Sequence, residues 1–62
     1  MTKMEALTFE GKYVFSKYFK AWIQVFNVTD NYNWSFFLDN KVYRAKTPLS
    51  YFKSKKLVKD SL

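Results

Sequence analysis

The chain has 62 residues, fourteen of them Phe, Tyr or Trp, with eleven Lys and Arg against five Asp and Glu and a formal net charge of +6. It contains no Cys and no His, which excludes disulfide frameworks, thiolate metal sites, thiol nucleophiles and imidazole acid–base chemistry. Gly11 is the sole glycine, so no glycine-rich loop can cradle a phosphate; no cofactor is expected, and the chain reads as a binding protein, not an enzyme.

In chain order, residues 1–5 read as a frayed end without the apolar stretch of a signal peptide. Leu7-Thr8-Phe9 alternates with polar neighbours and is expected to open a strand that turns at Glu10-Gly11-Lys12. Tyr13–Ile23 fits two templates. Val14, Phe15, Tyr18, Phe19, Trp22 and Ile23 recur at helical spacing. The density of rings speaks for a strand, and Tyr, Phe and Val are poor helix formers. Strand and loop is the preferred reading.

Ala21–Val28, Asn33–Leu38 and Lys41–Lys46 are rich in β-branched and aromatic residues and predict a three-stranded meander. Thr29-Asp30-Asn31-Tyr32 supplies the first connection, and Asp39-Asn40 a two-residue hairpin turn, because Asp and Asn tolerate positive φ. That turn sets Leu38 opposite Lys41, Phe36 opposite Tyr43 and Trp34 opposite Ala45. Trp34, Phe36, Leu38, Tyr43 and Ala45 then share a core face, and Ser35, Phe37, Val42, Arg44 and Lys46 a half-wet, basic one. A four-residue loop at 29–32 adds Ile23 and Val25 to the core face and Trp22, Gln24 and Phe26 to the basic face. A loop one residue longer reverses those assignments, since side chains in a strand alternate. The sequence leaves both parities open.

Thr47-Pro48 reads as a helix start with Thr47 as the hydroxyl cap. A single helical turn over 48–52 is expected, followed by a Lys-rich last strand and a frayed end at 60–62. Within Ala45–Phe52, the residues Pro48, Ser50 and Tyr51 are similar to the Pro-Ser-x-Tyr turn of SH3 domains. The glycine and acidic loop pattern of the peptide-binding members is missing, so the resemblance implies layout and no proline-rich ligand. The expected fold is all-β or β-rich α+β: one small domain over 1–62, a curled antiparallel sheet or SH3-like barrel of about five strands.

Charge and rings separate along the chain. Residues 1–40 hold four Lys and four acids, whereas residues 41–62 hold Lys41, Arg44, Lys46, Lys53, Lys55, Lys56 and Lys59 against Asp60 alone. Eleven of the rings fall in residues 1–40, and only Tyr43, Tyr51 and Phe52 come later. Such asymmetry is a footprint of contact with nucleic acid or another anionic surface. Ten of the eleven cations are Lys, which suits phosphates better than base edges. The expected partner is therefore DNA or RNA, held mainly through its backbone by Arg44, Lys46, Lys53, Lys55, Lys56 and Lys59 with weak sequence preference. Phe37 and Tyr51 are candidate stacking rings, joined by Trp22 and Phe26 if the loop parity exposes them.

A chain this short, with no disulfide, is expected to place most of its rings in the core. That expectation and the separation of rings from charge speak against a ring-lined single-strand groove. The alternative is an interaction module, an inhibitor or adaptor, docking on a larger acidic protein through anchors such as Trp22, Tyr32, Trp34 or Arg44. A homodimer through an exposed strand edge is a further reading. The apolar runs are too short to span a bilayer and residues 48–62 show no coherent apolar stripe, so no membrane is expected and no metal either. A composition rich in Lys, Asn, Tyr and Phe fits an AT-rich genome, and the expected location is cytoplasmic, in the host cell if the chain is phage- or virus-encoded.

Overall fold

Asp39 and Asn40 both take up left-handed backbone, φ 52° and 63°, the conformation that a two-residue hairpin turn demands. The turn joins β3 (Ser35–Leu38) to β4 (Lys41–Arg44), with Phe36 opposite Tyr43 and Leu38 opposite Lys41. The Ala45 N–H donates to the Trp34 carbonyl at 3.0 Å, which extends this ladder as the turn dictates. β2 (Ala21–Phe26) pairs with β3 so that Gln24 faces Phe37 and Val25 faces Phe36. This is the register of the shorter loop: Ile23 and Val25 point to the core, and Trp22, Gln24 and Phe26 point away.

β1 (Tyr13–Ser16) pairs with β2 across a tight connection at 17–20, where the Ser16 hydroxyl accepts the Phe19 N–H at 3.1 Å and Lys20 adopts φ 55°. β5 (Val58–Lys59) returns antiparallel beside β1. The computed structural model describes residues 1–62 and arranges them as one antiparallel sheet in the order β4-β3-β2-β1-β5. The β-rich single sheet of five strands, with a short helix after the fourth, is the expected architecture.

Two short helices, α1 (Lys3–Leu7) and α2 (Leu49–Ser54), cover one face of the sheet. Ala6 and Leu49 are fully buried there, and Phe52 meets Trp34 edge-on at 5.8 Å. Val14, Ile23, Val25 and Phe36 complete the strand side of this core.

The helix termini depart from the sequence reading. Residues 3–7 are helical and not frayed, because the Thr2 hydroxyl caps the Glu5 N–H at 3.1 Å and Ala6 is locked into the core. Leu7-Thr8-Phe9 is no strand: the chain continues in turns through Gly11, φ 83°, and the Phe9 ring enters the core. Thr47 does not cap α2. Its carbonyl accepts the Trp34 indole N–H at 2.8 Å, and Pro48 occupies the cap position. The free N–H groups of Leu49 and Ser50 instead donate to the carbonyl and side-chain oxygen of Asn31, at 3.0 and 2.8 Å. At the other end of α2, Lys56 sits at φ 57° while the N–H groups of Lys56 and Leu57 return to the carbonyls of Lys53 and Phe52. That is a Schellman closure with lysine at the position that usually holds glycine.

The allocation of rings is the largest departure. Phe9, Trp34, Phe36 and Phe52 are buried, and Phe19, Tyr43 and Tyr51 pack against them. The remaining seven of the fourteen (Tyr13, Phe15, Tyr18, Trp22, Phe26, Tyr32 and Phe37) lie outside the core. A single-layer sheet has one covered face, and two short helices can cover no more. Aromatic residues at adjacent strand positions, such as Phe36-Phe37, must therefore divide between inside and outside.

Candidate functional site

Alternation along the strands assembles a second aromatic layer on the uncovered face. Lys59, Tyr13, Gln24, Phe37 and Val42 stand opposite one another in turn, forming a continuous row across all five strands. On one side of this row Phe15 faces Trp22; on the other, Phe26, Ser35 and Arg44 face one another in sequence.

Four rings of this layer pair with each other, and none belongs to the core cluster. Phe26 and Phe37 stack at 4.4 Å with planes only 12° apart, and Phe15 meets Trp22 edge-on at 5.5 Å. Phe37 remains 49% exposed and Val42 59%, values at which an apolar side chain gains little from folding. Ser35 has the outward parity but is buried.

Charge on this face is of one sign. The five strands contain Lys41, Arg44 and Lys59 and no Asp or Glu. Arg44 stands on the edge strand β4 and Lys59 on the opposite edge strand β5. The Lys59 ammonium lies 4.4 Å from the centroid of Trp22, a cation–π contact, and the Arg44 guanidinium donates to the Asn33 side-chain oxygen at 3.4 Å.

Four of the five acids are occupied elsewhere. Glu5 pairs with Lys53, which together with the N-terminal charge holds its carboxyl below the ordinary range. Asp60 pairs with Lys12 at 3.2 Å. The Glu10 carboxylate accepts the Asn27 and Val28 N–H groups at 3.1 and 3.0 Å. Asp30 is also held low, first by the Asn33 side chain and then by the Tyr32 N–H. Two ion pairs among eleven cations leave nine with no acidic partner. No three carboxylates converge on a point where a metal ion would sit.

The residues singled out from sequence do not form one patch. Phe37, Arg44 and Lys59 share the outer face. Lys46 follows β4 and lines a cleft of about 520 Å³ on the covered side, beside Phe19, Trp34 and Tyr43. Lys53 is engaged by Glu5 and lines a shallow groove with Lys12 and Lys56, while Lys55 stands exposed at the end of α2. Tyr51 is half-buried against Phe52 on the covered side and does not join the outer rings. Tyr13 and Phe15 belong to the outer layer and escaped sequence reasoning, because a segment that also fits a helix gives no face assignment. Had β1 been fixed as a strand, the buried Val14 between them would have placed both outside.

Next to the stacked Phe26–Phe37 pair, on the side of their cross-strand partners Ser35 and Val42, a depression of about 550 Å³ is lined by Asn27, Thr29, Asn33, Ser35 and Arg44 together with Trp34 and Val42. The site thus joins flat rings, amide and hydroxyl groups, and unopposed positive charge. No helix is long and apolar enough to cross a membrane. Comparison with known proteins found no matching family model, curated protein or solved structure.

Proposed function

We propose that this is a small, non-enzymatic nucleic-acid-binding protein that takes DNA or RNA mainly through its phosphates, with weak sequence preference. The observation that supports it best is the disposition of charge. Four of the five acids are committed to partners within the chain, while nine cations have none and the sheet itself carries only positive side chains. Unopposed Lys and Arg neutralise phosphates and release condensed counterions, which makes such binding strong at low salt and tolerant of sequence. Arg44 and Lys59 lead this contact on the outer face, with Lys46, Lys55 and Lys56 extending it around the domain. A cytoplasmic site of action fits this reading, within the host cell if the chain is phage- or virus-encoded.

A filter-binding titration against salt tests the proposal. The affinity is expected to fall with a log–log slope of about −0.9 per neutralised phosphate on duplex DNA, or about −0.7 on a single strand. Absence of any retained DNA or RNA at low salt would overturn it. Recovery from a native extract of one stoichiometric protein that survives nuclease treatment would favour the other reading, docking on a larger acidic protein.

A further inference from the structure

We propose that the outer sheet face is a stacking platform for single-stranded nucleic acid, with Phe37 as the principal ring and Lys59 and Arg44 as phosphate contacts at its two edges. This rests on the nucleic-acid reading above and names the form of the ligand. Four observations carry it.

First, the rings of this face lie outside the core, and Phe37, half-exposed, is backed by the stacked Phe26 ring. A backed ring holds a fixed plane, so a base that stacks on it meets a preorganised surface. Second, the layer spans β1, β2 and β3 as two braced ring pairs, Phe15 with Trp22 and Phe26 with Phe37, and neither pair offers a lone side chain as a wedge for a duplex step. Duplex DNA presents phosphates to such a surface and hides its base faces, so the rings find no stacking partner there. A single strand offers those faces directly.

Third, Trp22 and Phe26 are four residues apart on one strand, about 13 Å. The Phe15–Trp22 and Phe26–Phe37 pairs are therefore separate stations, and an extended strand can use both. Fourth, the charge complements a polyanion: no acid interrupts the sheet, and a cation stands at either edge. Lys59 covers Trp22 when the protein is free. A base arriving at Trp22 displaces that ammonium toward the adjoining phosphate, so ring and cation serve one nucleotide in turn. The depression beside Arg44 includes Val42 and Ser35, the cross-strand partners of Phe37 and Phe26, and supplies amide and hydroxyl groups for the edge of a stacked base.

The test compares fluorescence anisotropy of a short oligothymidine with that of a hairpin duplex, in the same buffer. The single strand is expected to bind at least about tenfold more tightly. Phe37→Ala is expected to weaken single-strand binding about 5- to 150-fold, the loss of one base–ring stack, while leaving duplex binding nearly unchanged. Phe37→Leu preserves the apolar cover and removes the ring, so it serves if the alanine variant loses its fold. Lys59→Gln and Arg44→Gln are each expected to lower the salt slope on the single strand by about 0.7. Equal affinity for duplex and single strand, or unaltered single-strand binding by folded Phe37 variants, would overturn the inference and leave the broader reading standing. Binding to neither nucleic acid would overturn both. A wild-type dimer that Phe37→Ala converts to monomer would also overturn it, showing that a second copy covers this face.

Discussion

The Lys59 ammonium rests 4.4 Å above the indole of Trp22, joining a cation from the last strand to a ring from the second. The chain holds one more tryptophan, Trp34, and that one is 2% exposed with its N–H bound to the Thr47 carbonyl. The two indoles are therefore separable by solvent access and by local charge.

Iodide quenching is expected to act on Trp22 and spare Trp34. Trp22→Phe should remove the quenchable emission. Lys59→Gln should reduce quenching by anionic iodide while leaving quenching by neutral acrylamide unchanged, because only the anion is attracted by the ammonium. Equal quenching of both tryptophans in the folded protein would contradict this arrangement.

Phe36 and Phe37 are neighbours in sequence on opposite faces of β3. Phe36→Ala deletes a buried ring and should cost about 3–5 kcal/mol, enough to unfold so small a domain. Phe37→Ala loses one exposed stacked pair and should cost only about 0.5–1.5 kcal/mol. Urea denaturation followed by circular dichroism distinguishes them; comparable losses would mean that the outer layer is structural.

Asn31 caps α2 from a distant loop, accepting the Ser50 N–H at 2.8 Å while its amide group donates to the Ser50 hydroxyl at 3.1 Å. Asn31→Ala should destabilise by about 1–2 kcal/mol, the range for a lost cap. Asn31→Asp keeps the acceptor and should recover most of this in thermal melts.

Lys56 holds a left-handed conformation at the end of α2, where any side chain except glycine's costs about 1 kcal/mol. Lys56→Gly should raise the melting temperature by about 4–8 °C per kcal/mol gained. The same change should weaken nucleic-acid binding at low salt, since it removes a cation with no acidic partner. A variant that is both more stable and equally tight in binding would show that this charge has no part in binding.

Glu5 and Asp30 are each held below the ordinary carboxyl range, by the Lys53 and Asn33 side chains first of all. A pKa lowered on folding contributes stability that is complete above the unfolded-state value and lost as pH falls through the folded-state value. Urea midpoints should therefore stay level down to about pH 5 and decline below about pH 4. The double variant Glu5→Gln, Asp30→Asn should show a shallower decline.

Several features were legible from residue types because they are local. Asp39-Asn40 could be placed as a hairpin turn since its positive φ angles suit those two side chains, and that turn alone fixed Phe36 opposite Tyr43. Asn31 as the cap of α2 was not legible, because its partner lies nineteen residues away and the nearer Thr47 offers a hydroxyl that could accept the same N–H in place of the Asn31 amide oxygen. The helix at 3–7 was hidden for a similar reason: five residues have no period to read, and the fold stabilises them by burying Ala6 and pairing Glu5 with Lys53.

By itself, the sequence determined that this chain makes a small β-rich antiparallel fold of about five strands with an excess of positive charge, and that its chemistry excludes thiol and imidazole groups. Alternating aromatic strands and turn residues act over a few positions, so they can be read without coordinates. Tertiary structure decided where the rings go. The one-residue parity of the 27–34 connection turns Trp22 and Phe26 outward, and the return of β5 beside β1 carries Lys59 onto Trp22. Charge and rings that separate along the chain are thereby reunited on one face, through strand pairing between segments more than thirty residues apart.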